Sequence, residues 1–382
     1  MTSDRPDLTV VVSHLIPRYG IEKVALGVSQ MLARHYRVSI LSVSGDLPAD
    51  LNFPSQTLGK SLHGLSRVKS LARIWKSLDR RNSGVFVLVG AWVAIPWLIV
   101  AALKRTRSTI IVWEHSITSE RFSVSMKWRV LSILAGITYK QAHAVVSVSP
   151  PLTQDLERLL PGRTIVTIPN PAECEEDEQT VEANRSVEPK LDGQIGTRFL
   201  MVGSLTVMKR HELALRAFSL TPKDAKLTIV GDGPELSRLR VLAANLGIAD
   251  RVQFAGYLND AAVHAEMLGH DVLLHCSVAE TFGLVFLEAA STHLLVVATK
   301  SRTSDYMVPK FVPGLTSESD PQSLLEAMAQ VLQPISVELD RERQLARQRR
   351  RSAFGSEIVS ALWVETIENA RIAARLRSGA NS

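Results

Sequence analysis

Short β-branched runs alternate along this chain with stretches of helical periodicity, and the alternation repeats from end to end. Leu8–Ser13, Arg37–Val43, Val85–Val89, Thr109–Trp113, Ala144–Ser149 and Thr164–Ile168 read as strands, apolar enough to be buried on both faces. Between the first two, Val24, Val28, Met31 and Leu32 keep helical spacing after a loop that holds Gly20. Strand, glycine loop, helix and strand make a βαβ unit, so the expected class is α/β with parallel sheets. The pattern restarts with a strand at Arg198–Val202 and a helix over His211–Phe218. Strands follow at Lys226–Val230, Val252–Leu258, Asp271–His275 and Leu294–Ala298. A helix is expected from Asp320 to Leu332 and a last one over 355–376. Between the two series, from Glu173 to Gly196, acidic residues cluster without apolar periodicity, which marks a solvated linker or insert. The expected divisions are a first domain over 1–172, the linker over 173–197, a second domain over 198–345 and a terminal helix over 346–382.

A chain of 382 residues suits two such domains. Cys174 and Cys276 are its only cysteines, form no metal-like pair and fit a reduced compartment. Residues 1–8 show no basic stretch leading into an apolar core, so a cytoplasmic location is expected. Gly84 to Leu103 is uncharged and long enough to span a bilayer. Gly90 interrupts it and Pro96 is a natural helix start, so a strand followed by a helix over Pro96–Leu103 is expected instead. Charge divides the chain: residues 1–172 carry 21 Lys+Arg against 10 Asp+Glu, whereas the remainder is acidic. No nucleic-acid signature accompanies the basic half, which leaves an anionic ligand or an anionic membrane surface as its partner. Two stretches suit the membrane: a helix whose stripe is Leu65, Val68, Leu71, Ala72, Trp75 and Leu78, and the segment Arg121–Leu134 with Phe122, Met126 and Trp128. Packing on a sheet is the plainer alternative for the first.

The stretch Ala279–Glu288 holds the densest candidate chemistry. Glu280 and Glu288 bracket Thr281, Phe282, Gly283 and Leu284, after a strand and before what reads as a helix. A helix N-terminus at a strand end collects free N–H groups and suits a phosphate, while the two carboxylates could grip polar ends of the same ligand. A solvated loop carboxylate and an ordinary helix Glu are the alternative. Gly20, at its own loop-to-helix junction, admits close approach by an anion or simply makes a turn. His115 follows the strand Thr109–Trp113, where α/β proteins bind ligands. A structural histidine is again the plainer reading.

In order, Gly20-Ile-Glu22, Glu114-His115, Ile168-Pro-Asn-Pro171, Gly203 with Lys209, Gly231-Asp-Gly-Pro234, Val252 to Gly256, and Glu280-Thr-Phe-Gly283 with Glu288 resemble the retaining glycosyltransferases of the GT-B fold, family 4. The resemblance covers nearly the whole chain. It implies two Rossmann-like domains facing across a cleft, with the C-terminal helix crossing back to the first domain. It implies a nucleotide-sugar donor, a lipid-linked or glycan acceptor, no metal or other cofactor, and peripheral contact with the inner face of the cytoplasmic membrane. By the resemblance Glu288 takes the ribose hydroxyls, Lys209 and the N–H groups after Phe282 the diphosphate, and Glu280 the transferred sugar. Gly203, Gly283 and Leu284 line the donor, Leu258 packs the base, Gly20 approaches the phosphates and His115 reaches the sugar or acceptor. The chain departs from the family pattern in three places. Ser204 stands where an Arg usually partners the Lys, His293-Leu-Leu295 replaces Gly-x-Pro, and Lys300–Ser304 replaces a glycine-rich loop. These departures leave a second reading open, a catalytically silent GT-B protein that binds a partner or a glycan.

Overall fold

The structure, a computed structural model, describes residues 5–15, 20–45, 47, 51–59, 73–76, 78, 84–116, 126–172, 196–292, 294–331 and 337–379. Most of the 65–78 stripe, the start of the Arg121–Leu134 segment, His293 and nearly all of the acidic linker lie outside the described residues. The chain forms two compact units, residues 1–171 with 354–382, and residues 172–353.

The first unit holds β1 (Asp7–Val12), α1 (Gly20–Leu32), β2 (Arg37–Ser42), β3 (Ser55–Thr57), β4 (Val85–Val89), α2 (Ala91–Lys104), β5 (Thr109–Glu114), α3 (Met126–Thr138), β6 (Ala144–Ser147), α4 (Pro150–Leu159) and β7 (Val166–Thr167). Its sheet is parallel, in the order β3-β2-β1-β4-β5-β6-β7. The central strands β4 and β5 are buried along their whole length, as their unbroken apolar runs require. One expected boundary moves: α2 begins at Ala91, not Pro96. Gly90 turns the chain at φ 77°, and its carbonyl accepts from the Val93 and Ala94 N–H groups, so the helix is under way before the proline. At 14 residues α2 is about 21 Å long, short of a bilayer core of ~30 Å. Among the described residues, no helix is long and apolar enough to cross a membrane.

The second unit holds β8 (Arg198–Val202), α5 (His211–Phe218), β9 (Lys226–Val230), α6 (Leu236–Asn245), β10 (Val252–Gly256), α7 (Asp260–Leu268), β11 (Val272–His275), α8 (Leu284–Ala290), β12 (Leu295–Thr299), α9 (Arg302–Phe311), β13 (Gly314–Ser317), α10 (Pro321–Gln330) and α11 (Val337–Phe354). The sheet is again parallel, in the order β10-β9-β8-β11-β12-β13. Phe199, Phe218, Ile229 and Leu274 belong to its core, with the two Phe rings edge-on at 6.0 Å. The Lys300–Ser304 stretch is a helix start, not an open loop. The Ser301 hydroxyl accepts from Ser304 N–H at 3.0 Å while the Ser304 hydroxyl accepts from Ser301 N–H at 2.8 Å, a reciprocal cap that begins α9.

The last helix, α12 (Ser356–Gly379), belongs to the first unit, where it packs on β5 and α1. Trp363 sets its ring edge-on against Trp113 at 4.9 Å, and the Tyr36 hydroxyl donates to Glu368 at 2.9 Å.

Candidate active site

Strand order reverses between β8 and β11 in the second unit. The crevice at the C-terminal ends of strands flanking such a reversal is where open α/β sheets bind ligands. β8 leads through Gly203 into a 3-10 turn, Val207–Lys209, and then α5; β11 leads through Cys276–Gly283 into α8. The two loops are tied by their backbones, Val278 N–H donating to the Met208 carbonyl at 3.0 Å. That tie brings Lys209 to Glu280: Lys209 Nζ donates to Glu280 Oε2 at 2.8 Å, with the side chains 25% and 18% exposed. Partial cover strengthens such a pair while leaving an edge open to a ligand.

Glu280 is held at every oxygen. Its Oε1 accepts from Thr281 and Gly283 N–H, both at 3.2 Å, and its carbonyl accepts from Thr303 Oγ1 at 2.5 Å. His275 Nε2 lies 3.5 Å from Oε2. Burial pushes the Glu280 carboxyl up, but the Lys209 ammonium and His275 outweigh it and hold the group well below the usual carboxylate range. Burial in turn lowers His275, and Lys209 adds to the effect against the pull of Glu280. His211, the first residue of α5, is driven down to about 4 by burial, then by Lys209 and His275. The cluster thus rests with one cation, one anion and two neutral imidazoles.

Two glycines make the geometry. Gly283 enters α8 at φ 80°, and a Cβ there would stand 2.4 Å from the Phe286 ring. That ring packs edge-on against His275 at 4.7 Å, locking α8 to the end of β11. Gly231 passes so close to the Gly203 carbonyl that a Cβ would lie 1.9 Å from its oxygen. The Leu205 N–H, donating to Asp232 at 2.9 Å, completes the clasp between the two glycine loops. The Lys209 stem runs beside Gly203, 3.7 Å from where a Cβ would be.

The structure therefore gathers Lys209, Glu280, Gly203 and Gly283, with Phe282 buried beneath them. Leu284 and Glu288 sit four residues apart on α8, both half-buried, and Leu258 is half-buried just past β10. Ser204, in the position of the expected arginine, is exposed. Lys300 is paired with Glu318 at 2.5 Å, and from that stretch Thr303 meets Glu280 instead.

Gly20 and His115 belong to the first unit. Gly20 is the exposed first residue of α1, and Glu22 two positions later pairs with His14 at 3.1 Å. His115 follows β5, where Glu114 Oε1 accepts from the His115 and Ser116 N–H groups and Oε2 from the Tyr139 hydroxyl at 2.6 Å. The imidazole lies tilted against Trp113, with ring centroids 4.6 Å apart, and burial lowers it to about 3. Among the described residues its Nε2 has no hydrogen-bond partner. His275, His211 and Thr303 were not anticipated. His275 is the last residue of a parallel strand and His115 lies one residue past one, so the argument applied to one would have found the other.

The crevice lies at a sheet reversal in the second of two parallel α/β units, each of Rossmann-like build. Two family models lie end to end on the chain, Glycosyltransferase Family 4 over residues 19–176 and Glycosyl transferases group 1 over residues 190–349. The chain belongs to the group 1 glycosyltransferases of the family 4 type, with a GT-B fold. It is 38% identical over 101 residues to N-acetyl-alpha-D-glucosaminyl L-malate synthase of Bacillus anthracis, 26% of each chain. It is 33% identical over 147 residues to the GDP-mannose-dependent alpha-(1-6)-phosphatidylinositol monomannoside mannosyltransferase of Mycobacterium tuberculosis, 36% of each chain. The similarity thus spans about a quarter to a third of these relatives' length. Anabaena HepE, solved with UDP and glucose, superposes on 95% of this chain and 99% of its own at a TM-score of 0.76 and 17% identity, a likeness of fold.

Proposed function

We propose that the chain is a retaining hexosyltransferase that moves a sugar from a nucleotide-sugar donor to a lipid-linked or growing glycan acceptor at the cytoplasmic membrane face. The observation that carries this reading is the Lys209–Glu280 pair at the mouth of α8. A diphosphate leaves readily when its developing charge meets a fixed cation and oriented amides. Lys209 supplies the cation and the start of α8 the amides, so the step needs no metal. Glu280, ionised throughout the physiological range, accepts hydroxyls of the sugar, Glu288 those of the ribose, and Leu258 packs the base. Gly20 gives the phosphates room, and neutral His115 offers a ring nitrogen to sugar or acceptor. The bond from sugar C1 to the diphosphate breaks as the acceptor oxygen bonds C1 from the same face. The acceptor's proton passes to a phosphate oxygen of the leaving group. A lipid-linked acceptor is supported by the named substrate of the mycobacterial relative.

The test is release of nucleoside diphosphate from a panel of sugar nucleotides in the presence of membrane extract. Release from at least one donor is expected; release from none, with no binding of any nucleotide by calorimetry, favours the silent partner-binding reading. Ser204 is the observation behind that second reading, because it withdraws one phosphate contact.

A further inference from the structure

We propose that the outer faces of α2 and α3 form a docking surface for an anionic lipid bilayer, which rests on the lipid-linked acceptor reading and names the surface by which the first unit would reach it. α3 is patterned inside out. Its buried side holds Leu131, Ser132, Ala135 and Thr138, and the two hydroxyls donate back to the Trp128 and Leu134 carbonyls at 3.0 and 2.8 Å. Its outer side shows Met126, Val130, Ile133 and Ile137, exposed by 70, 51, 62 and 59%. Their spacing of four, three and four residues makes one stripe along the helix. Apart from Leu131, small and hydroxylated residues are inside, while large aliphatic ones face out.

α2 does the same. Trp92, Ile99 and Leu103 are exposed at intervals of seven and four residues, again one stripe, with Leu103 at 71%. The helices are neighbours, the Trp92 ring edge-on to Trp128 at 6.2 Å. A lone exposed leucine needs no explanation, but two adjacent apolar stripes are a contact surface.

Charge selects the occupant. From Met126 to Gln154 the chain has Lys127, Arg129 and Lys140 and no carboxylate. Arg129 and Lys140 are exposed, as are Arg105 and Arg107 just beyond α2. An aliphatic face with a basic surround matches acyl chains beneath anionic headgroups. A second copy in a two-fold pair would set these cations against their own kind.

The experiment is flotation of the full chain with vesicles of equal parts phosphatidylglycerol and phosphatidylcholine, and with phosphatidylcholine alone. Binding is expected to the anionic vesicles and to weaken in high salt. Ile133→Ser with Ile137→Ser should lower partitioning at least about tenfold, with an unchanged melting temperature because both residues are exposed. Val241→Ser, at an exposed apolar position of the other unit, should bind as the parent does. The proposal is overturned if the double variant floats like the parent, if the parent binds neither vesicle, or if light scattering shows a dimer that the double variant dissolves without vesicle binding. Stabilisation by UDP or GDP, measured on the same samples, reports the donor reading separately.

Discussion

At the scale of the residue, the chemistry turns on one pair. Glu280 keeps its charge because Lys209 and His275 outweigh the effect of burial, and Lys209 is kept in place by the same contact. In the proposed transfer Lys209 is the cation facing the departing diphosphate, so Lys209→Ala is expected to lower nucleoside diphosphate release by about a hundredfold to a thousandfold, the scale for a lost transition-state electrostatic contact. It also leaves a half-buried carboxylate short of its partner. Adding Glu280→Gln to Lys209→Ala should therefore recover part of the lost stability while recovering no activity, a coupling that urea unfolding of the single and double variants measures. Gly283 has a different part. An alanine there meets the Phe286 ring at 2.4 Å in a left-handed conformation, so Gly283→Ala is expected to destabilise by about 1–3 kcal/mol and to unseat α8 from His275.

At the scale of the element, most strands could be read from apolar runs, because a parallel strand covered on both faces has little choice of residue. The site was legible where motif and strand end coincide, at Lys209, Glu280 and Gly283. What escaped has local causes. β3 is a three-residue strand, Ser55–Thr57, two of whose residues are exposed, and it has no apolar signal. Pro96 suggested a start that Gly90 had already made. Ser301 and Ser304 cap each other across a stretch that reads as loop. In α3 the apolar stripe faces outward, so the Arg121–Leu134 stretch stood out as a segment suited to a membrane and its buried side could not be read. The buried histidines at element ends also set the response to acid. His115, past β5, and His211, opening α5, are lowered by burial to about 3 and about 4 from an ordinary 6.5. Each unfolded state takes up a proton that its folded state refuses, so stability is complete above pH ~6.5 and falls as pH drops toward ~4. His143 in the first unit is also lowered to about 4, and His275 is lowered beside His211 in the second. Two described imidazoles per unit thus refuse the proton, and the expected slope below pH ~6 approaches about 2.7 kcal/mol per pH unit in each unit's transition, read from urea midpoints between pH 7.5 and 5. A flat profile would show these imidazoles to be protonated in the folded chain.

At the scale of the whole molecule, the chain crosses from its first unit to its second and returns for a single helix. α12 brings Val359, Trp363 and Ile367, all fully buried, to β5 and α1. Trp363 backs Trp113, and Trp113 backs the His115 ring, so a residue more than two hundred positions later supports the expected catalytic histidine. The second unit draws its core from residues of its own segment. Trp363→Ala should consequently cost about 3–5 kcal/mol, the range for emptying a buried aromatic site, and the loss should fall on one unit alone. Calorimetry of the full chain is expected to show the transition of the first unit moving down while the second holds. At the proposed donor site, UDP or GDP should still raise the second transition in the variant, because mass action stabilises whichever unit holds the ligand. Sugar transfer should fall further than nucleotide affinity, since His115 loses its backing while the diphosphate contacts stay. If both transitions shift together, the units unfold as one and the helix serves the whole chain, not the first unit.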